Sequence, residues 1–216
     1  MMKVFEVNEM TGWIDITQPL RNTMAVWPGD KPFQFHLAVT KEESGSVNIG
    51  EISSSTHIGT HADAPFHFDN EGKTIDQIDP SIYIGKAIVI DLTEKGEIRR
   101  EYLENIDFQG VQRVLFKCLK EIDVDTFPDE VPYMDPEIGP FLKEKGIILI
   151  GIDSPSVDSI TSKTLDTHHS LNRNGIHIIE NLMLTKVEAG LYEFIALPLK
   201  IEGGDGSPVR AVVRKI

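Results

Sequence analysis

Apolar residues recur along this chain in two patterns, one alternating with polar residues and one continuous. Residues 13–17 and 33–39 alternate, as strands with one buried face do. Residues 87–91, 111–116 and 147–150 form continuous aliphatic runs, which are typical of strands buried on both faces. Together these patterns predict a mixed central β-sheet.

Helical patterns lie between several of these strands. Residues 98–106 are charged with apolar positions at helical spacing, residues 138–145 precede a glycine, and a third helix is predicted to begin near Thr161 and to close at Gly175. Strand patterns return at 176–184, 192–199 and 209–213. Because strands and helices alternate, we predict one α/β domain over residues 1–216, with helices flanking the sheet.

Histidine is concentrated in two short windows. Six of the seven histidines lie in residues 57–67 and 168–177, which make up about a tenth of the chain. The first window follows residues 47–54, a weakly alternating stretch, so it is expected to begin where a strand ends. Histidine and carboxylate side chains are common ligands of zinc and manganese. Both windows are therefore candidate metal sites.

The first window contains His57, His61 and Asp63. In one extended strand the two histidines would be about 13 Å apart, too far to share an ion, so the chain must turn between them. Gly59 permits a tight bend, and a single helical turn would place both histidines on one face. Pro65 would end that turn just after Asp63. We therefore predict that His57, His61 and Asp63 bind one metal ion.

His67 and Trp27 are candidates for work on a substrate. His67 lies beyond the proline and is predicted to approach the metal site from the side. An imidazole with a pKa near 6.5 can accept and return a proton at neutral pH, so His67 is the candidate for proton transfer. Trp27 lies in a turn sequence that ends at Asp30. It either contacts a ligand or anchors its loop, and the pattern leaves both open.

The second window contains His168, His169 and His177 and is followed by Glu180. Neighbouring helical residues point about 100° apart, so one of the first two histidines can face a site, and the pattern does not choose between them. His177 and Glu180 fall on opposite faces of a predicted strand and are not expected to share an ion. A second histidine–carboxylate pair indicates a two-metal site bridged by Asp63, which suits hydrolysis of an amide or ester.

Charge and cysteine content narrow the partners and the compartment. The chain has 21 basic and 34 acidic residues, a net charge of −13, and would repel nucleic acid and anionic lipid. Its one cysteine, Cys118, follows an apolar run and is expected to be a buried, inert thiol in a reducing compartment. Residues 1–10 lack the apolar stretch of a secretory signal. We expect a cytoplasmic protein without nucleic-acid or membrane partners.

The stretch from His57 to His67 resembles the H-x-G-T-H-x-D-x-P-x-H signature of the metal-dependent cyclase-like hydrolases. Within that superfamily the chain is most similar to the bacterial kynurenine formamidases, or arylformamidases. Other stretches that fit the family pattern are 13–16, 27–30, 43–48, 151–153, 155–158 and 205–211. The resemblance covers nearly the whole chain after about Gly12.

The resemblance implies a zinc-dependent amidase that hydrolyses N-formyl-L-kynurenine to L-kynurenine and formate in tryptophan degradation. It implies two Zn²⁺ ions per chain, one held by His57, His61 and Asp63 and the other by Asp63, His168 and Glu180. The family spacing of twelve residues selects His168 over its neighbour.

The resemblance further implies that His67 is the catalytic acid and base and that Trp27 lies near an aromatic amide substrate. It implies a swivelling β/α/β-type fold and a homodimer. One departure from close relatives is Lys117-Cys118, where arginine and threonine are expected. This departure lies outside the metal motifs.

Other functions share some of these features. A related hydrolase could open a cyclic amide such as isatin, often with Mn²⁺ and with one metal ion. A serine hydrolase is disfavoured, since the sequence has no G-x-S-x-G motif. The chain could also bind a metal or ligand without catalysis, in which case His67 would have no role. The ligand types alone do not separate zinc from manganese.

Overall fold

Nine of thirteen strands form one mixed sheet in the computed structural model, which describes residues 12–216. In chain order the strands are β1 (Trp13–Asp15), β2 (Gln34–Val39), β3 (Ile49–Ser53), β4 (His61–Asp63), β5 (Ile84–Asp91), β6 (Glu97–Ile98), β7 (Arg113–Lys117), β8 (Tyr133–Met134), β9 (Leu149–Ile152), β10 (His177–Glu180), β11 (Gly190–Ile195), β12 (Gly206–Pro208) and β13 (Val212–Lys215). The central sheet has the order β1-β13-β11-β5-β7-β9-β10-β4-β12. Strands β2 and β3 form a separate hairpin, and β6 pairs with β8.

The four middle strands β5, β7, β9 and β10 are parallel, and the outer pairs are antiparallel. Alternate residues of β5 confirm that its two faces are both buried: Ile88 and Ile90 pack into one apolar core, and Ala87 and Val89 pack into the other. The predicted mixed α/β sheet is therefore confirmed. The last predicted strand is displaced from residues 209–213 to β13.

Three α-helices are present in the described residues: α1 (Lys41–Ser44), α2 (Ile138–Glu144) and α3 (Asp166–Arg173). Helix α2 confirms the prediction for 138–145, and α3 begins five residues later than the expected Thr161. None of the helices within residues 12–216 has the length and apolar character needed to cross a bilayer.

The helix predicted over residues 98–106 is wrong. Ile98 belongs to β6, where it pairs with Met134 of β8, and only Arg100–Tyr102 form a short 3-10 turn. Ile98 and Leu103 are both fully buried in the core. Their apolar spacing therefore reflects burial of an extended segment and a turn, because strand pairing outweighs the local helical pattern.

The Asp153 carboxylate ties together two parallel strands at the end of the sheet. Asp153 follows β9, and its oxygens accept hydrogen bonds from the backbone N–H of Cys118 at 2.9 and 3.0 Å and of Leu119 at 3.0 Å, just after β7. Cys118 is buried, as expected, and burial raises the pKa of its thiol. The carboxyl ends of β7 and β9 are thereby fixed where β10 ends in Glu180.

Replacing this carboxylate should destabilise the fold. In Asp153→Asn an NH2 group replaces one carboxylate oxygen, so if the amide oxygen takes the place of Oδ2, the new donor faces the backbone N–H of Cys118. A buried donor left unsatisfied costs about 1–3 kcal/mol. We expect the free energy of unfolding in urea to fall by that amount. The exposed Glu144→Gln variant should stay within about 0.5 kcal/mol of the parent. Equal unfolding midpoints for Asp153→Asn and the parent would contradict this role.

Candidate metal centre

Strand pairing brings three of the predicted residues onto one face of the sheet. Strand β4 lies between β10 and β12, and His61 is directly opposite Glu180. Asp63 is two residues along β4 and so faces the same side as His61. Opposite residues in a sheet have side chains close enough to interact. The register of β4 therefore assembles His61, Asp63 and Glu180 from two distant parts of the chain.

The predicted helical turn from His57 to His61 is wrong, although the two side chains do meet at Asp63. His61 is already extended in β4, and the chain bends sharply before it at Gly59, where φ is +57°. This bend folds His57 back, so that its Nδ1 lies 3.0 Å from Asp63 Oδ1. Gly206 leaves the space for the ring, because a Cβ there would lie 2.9 Å from His57 Cε1.

The His61 ring is held so that one nitrogen faces the carboxylates. Its Nδ1 donates to the carbonyl of Gly59 at 2.9 Å, which fixes the proton on that nitrogen in the neutral ring. Its Nε2 lies 3.3 Å from Asp63 Oδ1 and 3.5 Å from Glu180 Oε2. The lone pair of Nε2 is therefore available to a cation between these groups.

Helix α3 supplies His168, which is also held by a second residue. Asp158 accepts from His168 Nδ1 at 2.6 Å and from the backbone N–H groups of Thr167 and His168, at the start of α3. The opposite nitrogen, Nε2, lies 3.5 Å from Asp63 Oδ2 and 3.6 Å from Glu180 Oε1. A carboxylate behind a histidine in this way is typical of metal ligands.

The choice between His168 and its neighbour, which the sequence pattern left open, has a structural answer. His168 is buried in the site, whereas the His169 ring packs edge-on against Phe68. His177 lies on the face of β10 opposite to Glu180, with its ring near Tyr83. Neither His169 nor His177 belongs to a group of possible metal ligands among the described residues.

The side chains of the site suit two cations that share Asp63. Two sets of possible ligand atoms, each within 4.8 Å of one another, are His57, His61 and Asp63, and Asp63, His168 and Glu180. Asp63 Oδ2 is buried and has no hydrogen-bond partner among residues 12–216. Nitrogen and carboxylate donors of this kind fit zinc or manganese, and a cation would satisfy the orphaned oxygen.

Without a cation, the positive charge at this site comes from protons on histidine. Burial lowers the pKa of His57, but hydrogen bonds with Asp205 and Asp63 outweigh it and raise the pKa to about 10. Burial likewise lowers the pKa of His168, but the hydrogen bond with Asp158 outweighs it, and the pKa is raised to about 10. Burial raises the pKa of Asp63, but its contacts with the protonated His168 and His57 outweigh this and hold the pKa well below its usual range. Burial raises the pKa of Glu180.

His67 stands beside these groups in a short 3-10 turn, Pro65–His67. Its ring centroid is 3.8 Å from that of His57, and its side chain is about one-third exposed. Burial and the nearby positive charge of His57 lower the pKa of His67, so it is neutral at pH 7. His67 also borders the cavity next to the site and can exchange a proton with a molecule bound there.

A cavity of about 470 Å³ opens onto the site. Trp27 lines it and packs edge to face against Phe127, with 5.3 Å between ring centroids. The side chain therefore lines the cavity and also packs against Phe127, and its contact with a ligand stays a prediction. Residues 119–131 supply much of the remaining lining, and the sequence analysis did not connect this segment with the site.

Asp158 and Asp205 are site residues that sequence reasoning missed. Asp205 Oδ2 lies 3.2 Å from His57 Nε2 and 3.8 Å from His67 Nδ1. Both aspartates lie in stretches that fit the family pattern, 155–158 and 205–211, and this was the only signal available for them. His57, His67 and Asp205 form a third group of possible ligand atoms, which shares His57 with the first.

Comparison with known proteins places the chain in a family. The family model described as "Putative cyclase" matches residues 14–159. Kynurenine formamidase of Bacillus cereus is 52% identical over 204 residues, covering 94% of this chain and 98% of the relative. The chain belongs to the kynurenine formamidase family. The enzyme of Geobacillus thermodenitrificans is 53% identical over 207 residues, covering 96% and 99% of the two chains. Membership shows a hydrolase that acts on a formamide C–N bond.

Solved structures agree with this family on the fold. A structure titled as a potential metal-dependent hydrolase with cyclase activity has a TM-score of 0.79 and 30% identity, covering 93% of this chain and 96% of its own. Isatin hydrolase A from Labrenzia aggregata has a TM-score of 0.77 at 23% identity, and the match covers 94% of this chain and 93% of that protein. The second likeness concerns the fold alone. Together with the ligand groups of the site, these likenesses show a cyclase-like fold with a divalent metal centre.

Metal binding should release protons, because His57 and His168 are protonated in the metal-free site. Both pKa values are about 10, so protons compete with the metal at every pH below that value. We expect the apparent zinc affinity to rise from about pH 7 to about pH 9, with about two protons released per fully loaded chain. Calorimetry in buffers of different ionisation enthalpy measures both quantities. Binding that is independent of pH and buffer would contradict the assigned charges.

Proposed function

We propose that this enzyme hydrolyses N-formyl-L-kynurenine to L-kynurenine and formate, in tryptophan degradation, with two Zn²⁺ ions per chain. The main support is that two sets of ligand atoms share the buried Asp63 carboxylate beside a cavity lined by Trp27. The relatives named as kynurenine formamidases, at 52 and 53% identity, make this substrate the first to test.

His57, His61 and Asp63 would hold one ion, and Asp63, His168 and Glu180 the other. When bound, such ions activate water for attack and polarise a carbonyl oxygen. The protein's own part is to fix the ligands. The carbonyl of Gly59 sets the orientation of His61, and the backbone N–H of Val157 donates to Glu180 Oε1 at 2.8 Å.

His67 would transfer the proton that amide cleavage requires. Its Nδ1 faces Asp205, which leaves Nε2 to accept a proton and return it to the departing aniline nitrogen. The lowered pKa of His67 keeps the ring neutral, as a base must be at pH 7. Trp27 and Phe127 would pack against the aromatic ring of the substrate, since aromatic rings favour edge-to-face and offset contacts.

Replacing His67 should separate proton transfer from metal binding. In His67→Gln we expect kcat for formylkynurenine to fall by about 100-fold or more, as loss of a general acid or base does, with the zinc content unchanged. His57→Ala and Asp63→Asn should lose zinc. The exposed His36→Gln variant of the hairpin is the matched control and should retain both activity and metal. Formate release and metal analysis of the same samples provide the data.

Two results would count against this proposal. Equal zinc loss in His67→Gln and His57→Ala would remove the distinction between base and ligand. Absence of chelator-sensitive formate release from the parent enzyme would remove the substrate. Isatin should be assayed in parallel, and preferential opening of isatin with Mn²⁺ would favour that alternative chemistry instead.

We propose that the enzyme is a homodimer and that the hairpin of β2 and β3 lies in the interface. Phe35, Leu37 and Ile52 are 47, 45 and 65% exposed, and Phe35 pairs with Ile52 across the hairpin. An isolated two-stranded hairpin is marginally stable in water, so covering this apolar face would stabilise it. Phe35 also lies against Gly50, where a Cβ would clash with its ring.

Light scattering after size exclusion tests the assembly. The parent protein should elute with the mass of a dimer, and Ile52→Asp should give a monomer because it places a charge in an apolar contact. Glu51→Gln, on the polar face of the same strand, should leave the dimer intact. A monomeric parent protein, or a dimeric Ile52→Asp variant, would overturn the assignment.

We also propose that the enzyme acts in the cytoplasm on a small aromatic amide. The single cysteine of the chain, Cys118, is a buried free thiol, which suits a reducing compartment. Cell fractionation checks it.

A further inference from the structure

The proposed mechanism uses Asp205 only as the group that His67 Nδ1 faces, although its carboxylate contacts both His57 and His67. Asp205 Oδ2 is 3.2 Å from His57 Nε2 and 3.8 Å from His67 Nδ1. We propose that Asp205 is a positioning residue: it keeps a proton on His57 Nε2, so that Nδ1 is the metal-binding atom, and it orients the His67 ring for proton transfer.

The two ring nitrogens of His57 face two different carboxylates. Nδ1 lies 3.0 Å from Asp63 Oδ1, and Nε2 lies 3.2 Å from Asp205 Oδ2. A histidine that has given up one proton keeps the other where a hydrogen-bond acceptor holds it. When a metal ion takes the place of the proton on Nδ1 beside Asp63, Asp205 is the acceptor that holds the remaining proton on Nε2. Without Asp205, the form with Nδ1–H bonded to Asp63 is the one that the surroundings favour, and that proton blocks the metal.

Asp205 is itself held in place, as a positioning residue must be. Thr56 Oγ1 donates to Asp205 Oδ1 at 2.6 Å, and the backbone N–H of Ala64 donates to the Asp205 carbonyl at 2.9 Å. The next residue, Gly206, pairs with Asp63 in the register of β12 and β4. A side chain on Gly206 would collide with His57, so Asp205 can approach the ring only because a glycine follows it.

His67 shares the same carboxylate oxygen. Its ring is 3.8 Å from that of His57, and its Nδ1 is at ion-pair distance from Asp205, longer than a hydrogen bond. This contact turns the Nδ1 edge toward Asp205 and the Nε2 edge away from it. The His67 part of the inference rests on the proposed function, whereas the His57 part depends only on the metal centre.

Zinc-loaded, full-length Asp205→Asn tests both parts. We expect its affinity for one of the two zinc ions to fall by about 10- to 100-fold, the usual effect of losing a residue that orients a metal ligand. We expect kcat for formylkynurenine to fall more than KM changes. At one sub-saturating zinc concentration, long-range ¹⁵N–¹H NMR of labelled histidine should show His57 with its single proton on Nε2 in the parent and a mixture of this form with the metal-free ring in the variant.

Two further variants make the result specific. Glu202→Gln removes the same charge from an exposed position of the same loop and should change none of these readouts. Thr56→Val removes the donor to Asp205 Oδ1 while leaving the carboxylate, so it should shift zinc affinity in the same direction by a smaller factor. The unfolding midpoint of each metal-free variant separates loss of folding from loss of positioning.

Unchanged zinc affinity together with one His57 ring form in Asp205→Asn would overturn the inference. So would a fall in the unfolding midpoint alone, because that outcome describes a purely structural residue. If the parent protein binds zinc but does not hydrolyse formylkynurenine, the proposed function fails, and the zinc and NMR results still decide the role of Asp205 at His57.

Discussion

The burial of the Asp63 carboxylate is the constraint on which the rest of the site depends. Asp63 is 3% exposed, and one of its oxygens has no hydrogen-bond partner in the described part of the chain. Removing such a charge from water costs several kcal/mol unless positive charge lies beside it. Two protonated imidazoles from distant places in the chain, His57 in the bend before β4 and His168 in α3, meet that requirement. Because protons or metal ions can each provide the charge, folding and metal loading are linked at this residue.

The sheet explains how a three-residue strand can hold such a group. Strand β4 pairs with β10 on one side and with β12 on the other, so the backbone of β4 is hydrogen-bonded along both of its edges. The parallel strands end at the same edge, where Asp153 and Glu180 follow or close their strands. Open α/β sheets bind ligands at the carboxyl ends of their strands. The metal centre lies at that edge because the strand order places β4 next to β10.

The sequence predicted the ligand types well because they are crowded within a few residues, and it predicted their conformation poorly. Whether His57 and His61 meet through a helical turn or through a bend is decided by the pairing of β4 with strands more than a hundred residues away, which no local pattern contains. Asp158 and Asp205 are single acidic residues among 34, and their partners are distant in sequence. The aliphatic runs, by contrast, predict their strands correctly, because burial on both faces leaves a mark in the local sequence whichever strands lie beside it.

The cavity wall of residues 119–131 contains no regular strand or helix, and it contacts the loop of residues 21–27. The backbone N–H of Ala25 donates to the Val124 carbonyl at 2.9 Å, Arg21 pairs with Asp125, and Trp27 packs on Phe127. The ligands, in contrast, are fixed by the sheet and by α3. The candidate metal ligands and this part of the cavity lining thus come from separate segments of the chain. Substitutions in the wall can therefore accumulate while the metal-binding residues stay the same. This separation explains how proteins of one fold can be named for different substrates.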